Sequence, residues 1–209
     1  MMPVMKPWYI FVFAVILVGF GAYAWLHREE LGLFPGAGSS GDSATQSDGF
    51  HPAHVIWQKV DRTPDGFKIE MPADSKEIQI PAYNGTGGSE QVAMLYAYPD
   101  ADTSFSVAWA DNPPVSRANQ ANADSTLNEA RDNALARTQS TLVSESKNNR
   151  QGFPARDFIG RNSGGGIFNA RLVLAGQRLY MLTASFPSSG ARRDQDVKHF
   201  FDSFTVVGK

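Results

Sequence analysis

Hydrophobic and polar positions divide this chain of 209 residues into three stretches of different texture. The first, WYIFVFAVILVGFGAYAWL at residues 8–26, runs nineteen positions without a charge and is apolar on every side. A helix rises ~1.5 Å per residue and a bilayer's hydrocarbon core is ~30 Å thick, so about 20 such residues span it. Trp8, Tyr9, Tyr23 and Trp25 sit near the two ends, where amphipathic rings prefer the headgroup level. The pattern predicts one N-terminal transmembrane helix, an uncleaved signal-anchor, after a short cytoplasmic tail at 1–7. A cleaved signal is the rival reading, with Lys6 as its basic region and Ala22-Tyr23-Ala24 as the cut. The apolar Trp25-Leu26 beyond that site favours the anchor. Lys6 and the free amine face a single Arg28 on the other flank, a small bias that predicts the N-terminus inside. Residues 27–50 follow, with GLFPGAGSSGDSATQSDGF at 32–50 offering almost nothing to bury; this predicts a flexible linker.

From residue 51 to 209 period-two alternation dominates, which predicts strands. Phe67, Ile69 and Met71 share one face of 66–72; Val92, Met94, Tyr96 and Tyr98 share one face of 91–98; Phe105, Val107 and Trp109 repeat the pattern over 104–110. Further strands are predicted over 152–160, 167–176 and 177–186, the last two joined at Ala175-Gly176-Gln177 by a hairpin. NGTGG (84–88) and NSGGG (162–166) read as turns. Two segments switch to helical spacing. Asp124 and a capping box, Thr126-x-x-Glu129, predict a helix to about Thr138 with Leu127, Ala130, Ala134 and Leu135 on one face. After Ser188-Ser189-Gly190, Val197, Phe200, Phe201 and Phe204 recur at i, i+3, i+4 and i+7, a strongly apolar stripe. TVV (205–207) closes the chain as a strand. Strands interrupted by two helices predict an α+β domain with a mainly antiparallel sheet, and no internal repeat is visible.

The order of landmarks carries a resemblance. Trp57 is followed by DGFKIEMP, a run of strands and a helix, then GFPARDF, a hairpin ending RLYMLTASF, and FFDSF before a terminal strand. Over about residues 55–207 this resembles the PsbP-like superfamily, including bacterial DcrB-like exported domains. The landmarks are packing positions, so the resemblance implies a fold and carries over no site residue. It implies a non-enzymatic binding or assembly factor, as among photosystem subunits, a nuclear-transport partner and periplasmic accessories. Some bacterial members are lipoproteins; this chain has no cysteine and presents an apolar helix instead.

Charge and composition narrow the classes further. The chain carries 19 basic and 21 acidic residues; removing Lys6, Arg28, Glu29, Glu30, Asp42 and Asp48 leaves 17 of each in residues 51–209. A nucleic-acid binder draws most of its affinity from basic excess, so no nucleic acid is expected. The absence of cysteine excludes disulfides, thiolate metal sites and a Cys nucleophile.

Candidate chemistry is sparse. His51 and His54 stand at metal-ligand spacing, but zinc needs three or four ligands, so the pair is rejected as a metal site. His199, beside Phe200 and Phe201, has no serine or carboxylate motif to make it a base. RNSGGGIFNAR lacks the lysine and following helix of a phosphate loop and reads as a hairpin loop. Asn84-Gly85-Thr86 matches a glycosylation sequon, discounted for a bacterial chain. Tyr96, Tyr98, Trp109, Phe158 and Tyr180 could line a groove, though period-two aromatics are more often core. Among the arginines of the C-terminal half, Arg156, Arg171 and Arg178 form a possible partner patch, weighed against a solvated face balanced by Asp157, Asp194 and Asp196. The expectation is a non-catalytic binding or assembly accessory, without catalytic residues or cofactors. It is held in a bacterial inner or cell membrane through residues 8–26, with its domain periplasmic or extracellular and a protein as partner. A motif-free hydrolase and a purely structural envelope protein are the alternatives.

Overall fold

The structure, a computed structural model, describes residues 55–83, 89–100, 103–111, 123–187 and 194–208. The expected cytoplasmic tail, anchor and linker, His51 and His54, the 84–88 turn with its sequon, and Ser188-Ser189-Gly190 lie outside the described residues. No helix among the described residues is long and apolar enough to cross a membrane.

In chain order the elements are β1 (Trp57–Arg62), a 3-10 turn (Thr63–Asp65), β2 (Phe67–Pro72), β3 (Lys76–Tyr83), β4 (Ser89–Ala97) and β5 (Ser104–Asp111). Then come α1 (Ala123–Arg137), β6 (Ser140–Arg150), β7 (Phe153–Asn162), β8 (Ile167–Ala175), β9 (Arg178–Phe186), α2 (Asp194–Ser203) and β10 (Thr205–Val206). Seven strands form one sheet in the order β3-β4-β5-β9-β8-β7-β6, and β1-β2-β10 form a second. Every pairing is antiparallel.

The large sheet is the middle of three layers, because both its faces are apolar. Toward α1 it presents Val92, Met94, Phe158, Phe168, Leu172 and Met181, met by Leu127, Ala130, Ala134 and Leu135 of the helix. Its other face presents Phe105, Val107, Trp109, Val173 and Leu182 to Phe67, Ile69 and Met71 of β2 and to Phe200, Phe201 and Phe204. A fully buried aromatic side chain contributes roughly 1.5–3 kcal/mol by leaving water, and these rings supply much of the second core. Trp109, Tyr180, Tyr96 and Phe158 are buried, so the aromatics considered as a groove are core; Tyr98 alone of the five is exposed.

Several expectations need correction. Helix α1 begins at Ala123, so Thr126 lies inside its first turn and cannot cap it; Asp124 supplies the favourable negative charge there instead. β1, β3 and β6 are additional strands, and each lies at the edge of its sheet. The loop at 162–166 is a hairpin connection, held by the Gly166 N–H donating to Asn162 Oδ1 at 2.8 Å. β6 and β7 meet through Gln151 (φ 53) and Gly152 (φ 85), both left-handed as a two-residue hairpin with right-twisted strands requires.

Candidate functional site

Arg156, Arg171 and Arg178 share no surface. Each is the centre of a separate polar cluster that docks one element. Arg156 is fully buried on the α1 side of β7 and reaches Asp124 Oδ1 and Glu145 Oε1, both at 3.0 Å, and Asn128. Arg131 reinforces it, donating to both oxygens of Glu145 at 2.7 Å. This cluster clamps α1 onto β6 and β7. Arg171 lies on the opposite face, its fork on both oxygens of Asp157 at 2.7 and 2.8 Å. Its third donor meets the Phe201 carbonyl at 2.8 Å and its plane stacks over the Phe201 ring at 4.9 Å, so it pins α2. Arg178 pairs with Asp111 and donates to the Asp65 carbonyl, where Tyr180 Oη also donates. The neighbouring Gly66 has φ +82, and a Cβ there would stand 2.7 Å from Tyr180 Oη, so a glycine is required for this approach. Buried cations demand paired anions, which Asp124 and Glu145 supply to Arg156 and Asp157 supplies to Arg171.

The electrostatics of the clamps set an acid limit. Burial pushes Asp157 up, but the Arg171 fork and Arg150 outweigh it and hold the carboxyl below its ordinary value. Glu145 is likewise lowered, burial opposing and Arg131 and Arg156 prevailing. Lys198 lowers Asp202 against a smaller effect of burial. A carboxylate depressed in the folded state stabilises the fold above its unfolded value, ~4, and that stability is lost as pH falls through the folded value. The melting temperature is therefore expected to be level from pH 7 to about 5 and to fall by roughly 5 °C toward pH 3. Asp157→Asn should lower the plateau and flatten the acid limb in a thermal-melt series; an unchanged acid limb would exclude Asp157 from the effect.

His199 Nε2 lies 2.7 Å from Glu70 Oε2 and its ring lies 4.6 Å from Trp57, joining α2 to β1 and β2. It does structural work at the helix edge. No group of three His, Cys, Asp or Glu side chains poised for a metal occurs among the described residues.

What the clamps leave accessible is β6. Its eleven residues, STLVSESKNNR, are exposed along most of their length, and among the described residues it pairs only with β7. A register shift falls between Leu142 and Ser144, and Leu142 and Val143 there are 44% and 53% exposed. Beside it, between β6, β7 and the end of α2, an open cavity of about 280 Å³ is lined by Ser144, Ser146, Asp157, Ile159, Asn169 and Phe201. That is below the ~300–1,000 Å³ usual for small-molecule sites, and both carboxylates of its lining are already held, Asp157 by Arg171 and Arg150 and Glu145 by Arg131 and Arg156. An unpaired strand edge with apolar residues beside it is chemically a template for another polypeptide. Pattern reading missed β6 because it buries neither face. Gln151-Gly152 held the usable signal: a two-residue hairpin turn before GFPARDF requires a partner strand ahead of it.

No family model and no curated protein sequence matches the chain. Among solved structures, cyanobacterial PsbP from Synechocystis sp. PCC 6803 aligns with TM-score 0.51 at 15% identity, over 77% of this chain and 98% of that one. The Pseudomonas aeruginosa protein of unknown function PA94, a putative regulator, aligns at TM-score 0.37 and 14% identity over 75% and 99%. The Saccharomyces cerevisiae Ran-binding protein Mog1p aligns at 0.39 and 10% over 74% and 97%. The domain has a PsbP-like fold, as its landmark order implies.

Proposed function

We propose that this PsbP-like domain is a non-catalytic binding accessory, tethered to a bacterial cell membrane through residues 8–26 and exposed on its outer side. Its docking strand is β6. The observation that carries the reading is the eleven-residue edge, with Leu142 and Val143 presented to solvent while the buried arginines and their carboxylates are engaged in holding α1 and α2. Main-chain groups along such an edge supply affinity, and side chains beside it supply selectivity. The charge bias around residues 8–26 supports the outward placement of the domain.

Cross-linking of the full chain in intact cells with a membrane-impermeant amine reagent tests both parts. A discrete cross-linked species is expected, and Val143→Asp is expected to deplete it about fivefold or more, since hot-spot apolar contacts carry ~1–2 kcal/mol. Val143 is solvent-exposed, so the variant should melt with the parent chain. Absence of any species would overturn the outward placement; a species insensitive to Val143→Asp would overturn β6 as the docking strand.

A further inference from the structure

Resting on that reading of β6, we propose that its edge takes an extended segment of a partner protein in which an apolar residue is followed, two positions later, by Asp or Glu. The apolar side chain fills the cavity beside β6, and the carboxylate meets Arg161.

On β7, Phe158 packs toward α1, and a Cβ at Gly160 would meet Leu135 of that helix. Asp157, Ile159 and Arg161 therefore alternate onto the α2 face. Ser146, Ser144 and Thr141 of β6 stand beside them in register. The cavity opens on this face, with Ile159 and Phe201 as its apolar walls. Ser144 and Ser146 are short and do not screen it from the edge. A strand added to β6 lies ~4.8 Å beyond it, so a leucine-sized side chain can reach across the serines. A space too small for a typical small molecule suits a single side chain.

Charge fixes the rest of the segment. On the α2 face Asp157 is held by Arg171 and Arg150, and Asp202 by Lys198 with Arg171 at 3.6 Å. Arg161 is exposed next to Ile159 on that face and meets no carboxylate among the described residues. Arg150, Arg161, Arg171 and Lys198 set against Asp157 and Asp202 leave a surplus of two positive charges. Glu145 and Lys147 do not alter that balance, because both project to the α1 side and are engaged there by Arg131, Arg156 and Asp124. A guanidinium without an anion, beside an apolar cavity, is complementary to a carboxylate close to an apolar side chain.

The order of the two residues follows from strand direction. Every pairing in this sheet is antiparallel, and antiparallel addition is the slightly more stable mode. Passing from the cavity to Arg161 runs toward the N-terminus of β6, hence toward the C-terminus of an antiparallel partner. The apolar residue comes first and the acidic one second.

The test uses the purified full chain and fluorescent, end-blocked peptides, read by anisotropy at low salt. TVTLTETVT is expected to bind, and TVTLTKTVT, with lysine in place of the glutamate, to bind roughly fivefold or more weakly. Arg161→Glu should reverse that preference. Its side chain is exposed, so the variant should melt with the parent chain. Replacing the peptide's leucine by threonine should also weaken binding several-fold, and Ser144→Phe, which fills the cavity, should abolish that difference. Equal binding of the glutamate and lysine peptides, or a preference that survives Arg161→Glu, overturns the acidic assignment. If neither peptide binds while the cell cross-link persists and still requires Val143, the occupant has a different chemistry and the docking reading stands. If both signals are lost, both readings fall.

Discussion

Replacing Phe200 by alanine is expected to cost about 3–5 kcal/mol, among the largest effects of any single truncation in this domain. Phe200 is completely buried, and it is the ring at which three elements meet. It stacks near Trp57 of β1 at 6.4 Å, meets Phe105 of β5 edge-on at 5.2 Å and touches Phe201 at 5.7 Å. Truncation removes apolar contact from all three and leaves a cavity that rigid strands on two sides cannot collapse. A domain of this size loses about 2–4 °C per kcal/mol, so the melting temperature should fall by roughly 10 °C. Chemical denaturation should show a lower midpoint with an unchanged slope. A loss below about 1 kcal/mol would mean that α2 is not packed as described.

Arg171 carries the second large effect, and here the geometry of the cation matters as much as its charge. Arg171→Ala leaves the Asp157 carboxylate with only Arg150, at 3.2 Å, and leaves the Phe201 carbonyl without its cation. Removing one partner of a buried pair costs ~3–5 kcal/mol, and partial exposure of Asp157 sets the expectation at the lower end. Arg171→Lys should recover less than half, because an ammonium cannot span both carboxylate oxygens while also reaching the end of α2. A double-mutant cycle with Asp157→Asn should return a coupling of about 1–3 kcal/mol. Additive losses, or a lysine variant as stable as the parent, would show that Arg171 acts through its stem alone. Since α2 borders the cavity beside β6 through Phe201, the same variants should loosen that wall without altering Val143 or Lys147.

Apart from the two-residue β10, the strands that pattern reading found are those with a buried face. β2, β4, β5, β7, β8 and β9 place Phe67, Met94, Val107, Phe158, Leu172 and Leu182 at alternating positions against one of the two cores. The strands it missed, β1, β3 and β6, are all edges. An edge strand satisfies one row of backbone groups and packs few side chains, so nothing forces its residues to alternate. The candidate site was invisible for the same reason: a docking edge is defined by what it leaves unpaired, and polarity along STLVSESKNNR reads as a loop.

Alternation and helical spacing in the sequence alone determined the α+β class, the two helices and the landmark order of a PsbP-like fold. Apolar burial is local in its demands on spacing and so leaves a periodic trace. Tertiary structure alone decided what the charges do. Nothing in the spacing of Arg156, Arg171 and Arg178 distinguishes one solvent-facing patch from three separate clamps, two of them buried. That difference rests on carboxylates brought from elsewhere in the chain, Asp124 to Arg156 and Asp111 to Arg178. Ion pairing across a fold follows distance in space, which the order of residues does not encode, and so the surface left for a partner emerged only once those pairs were made.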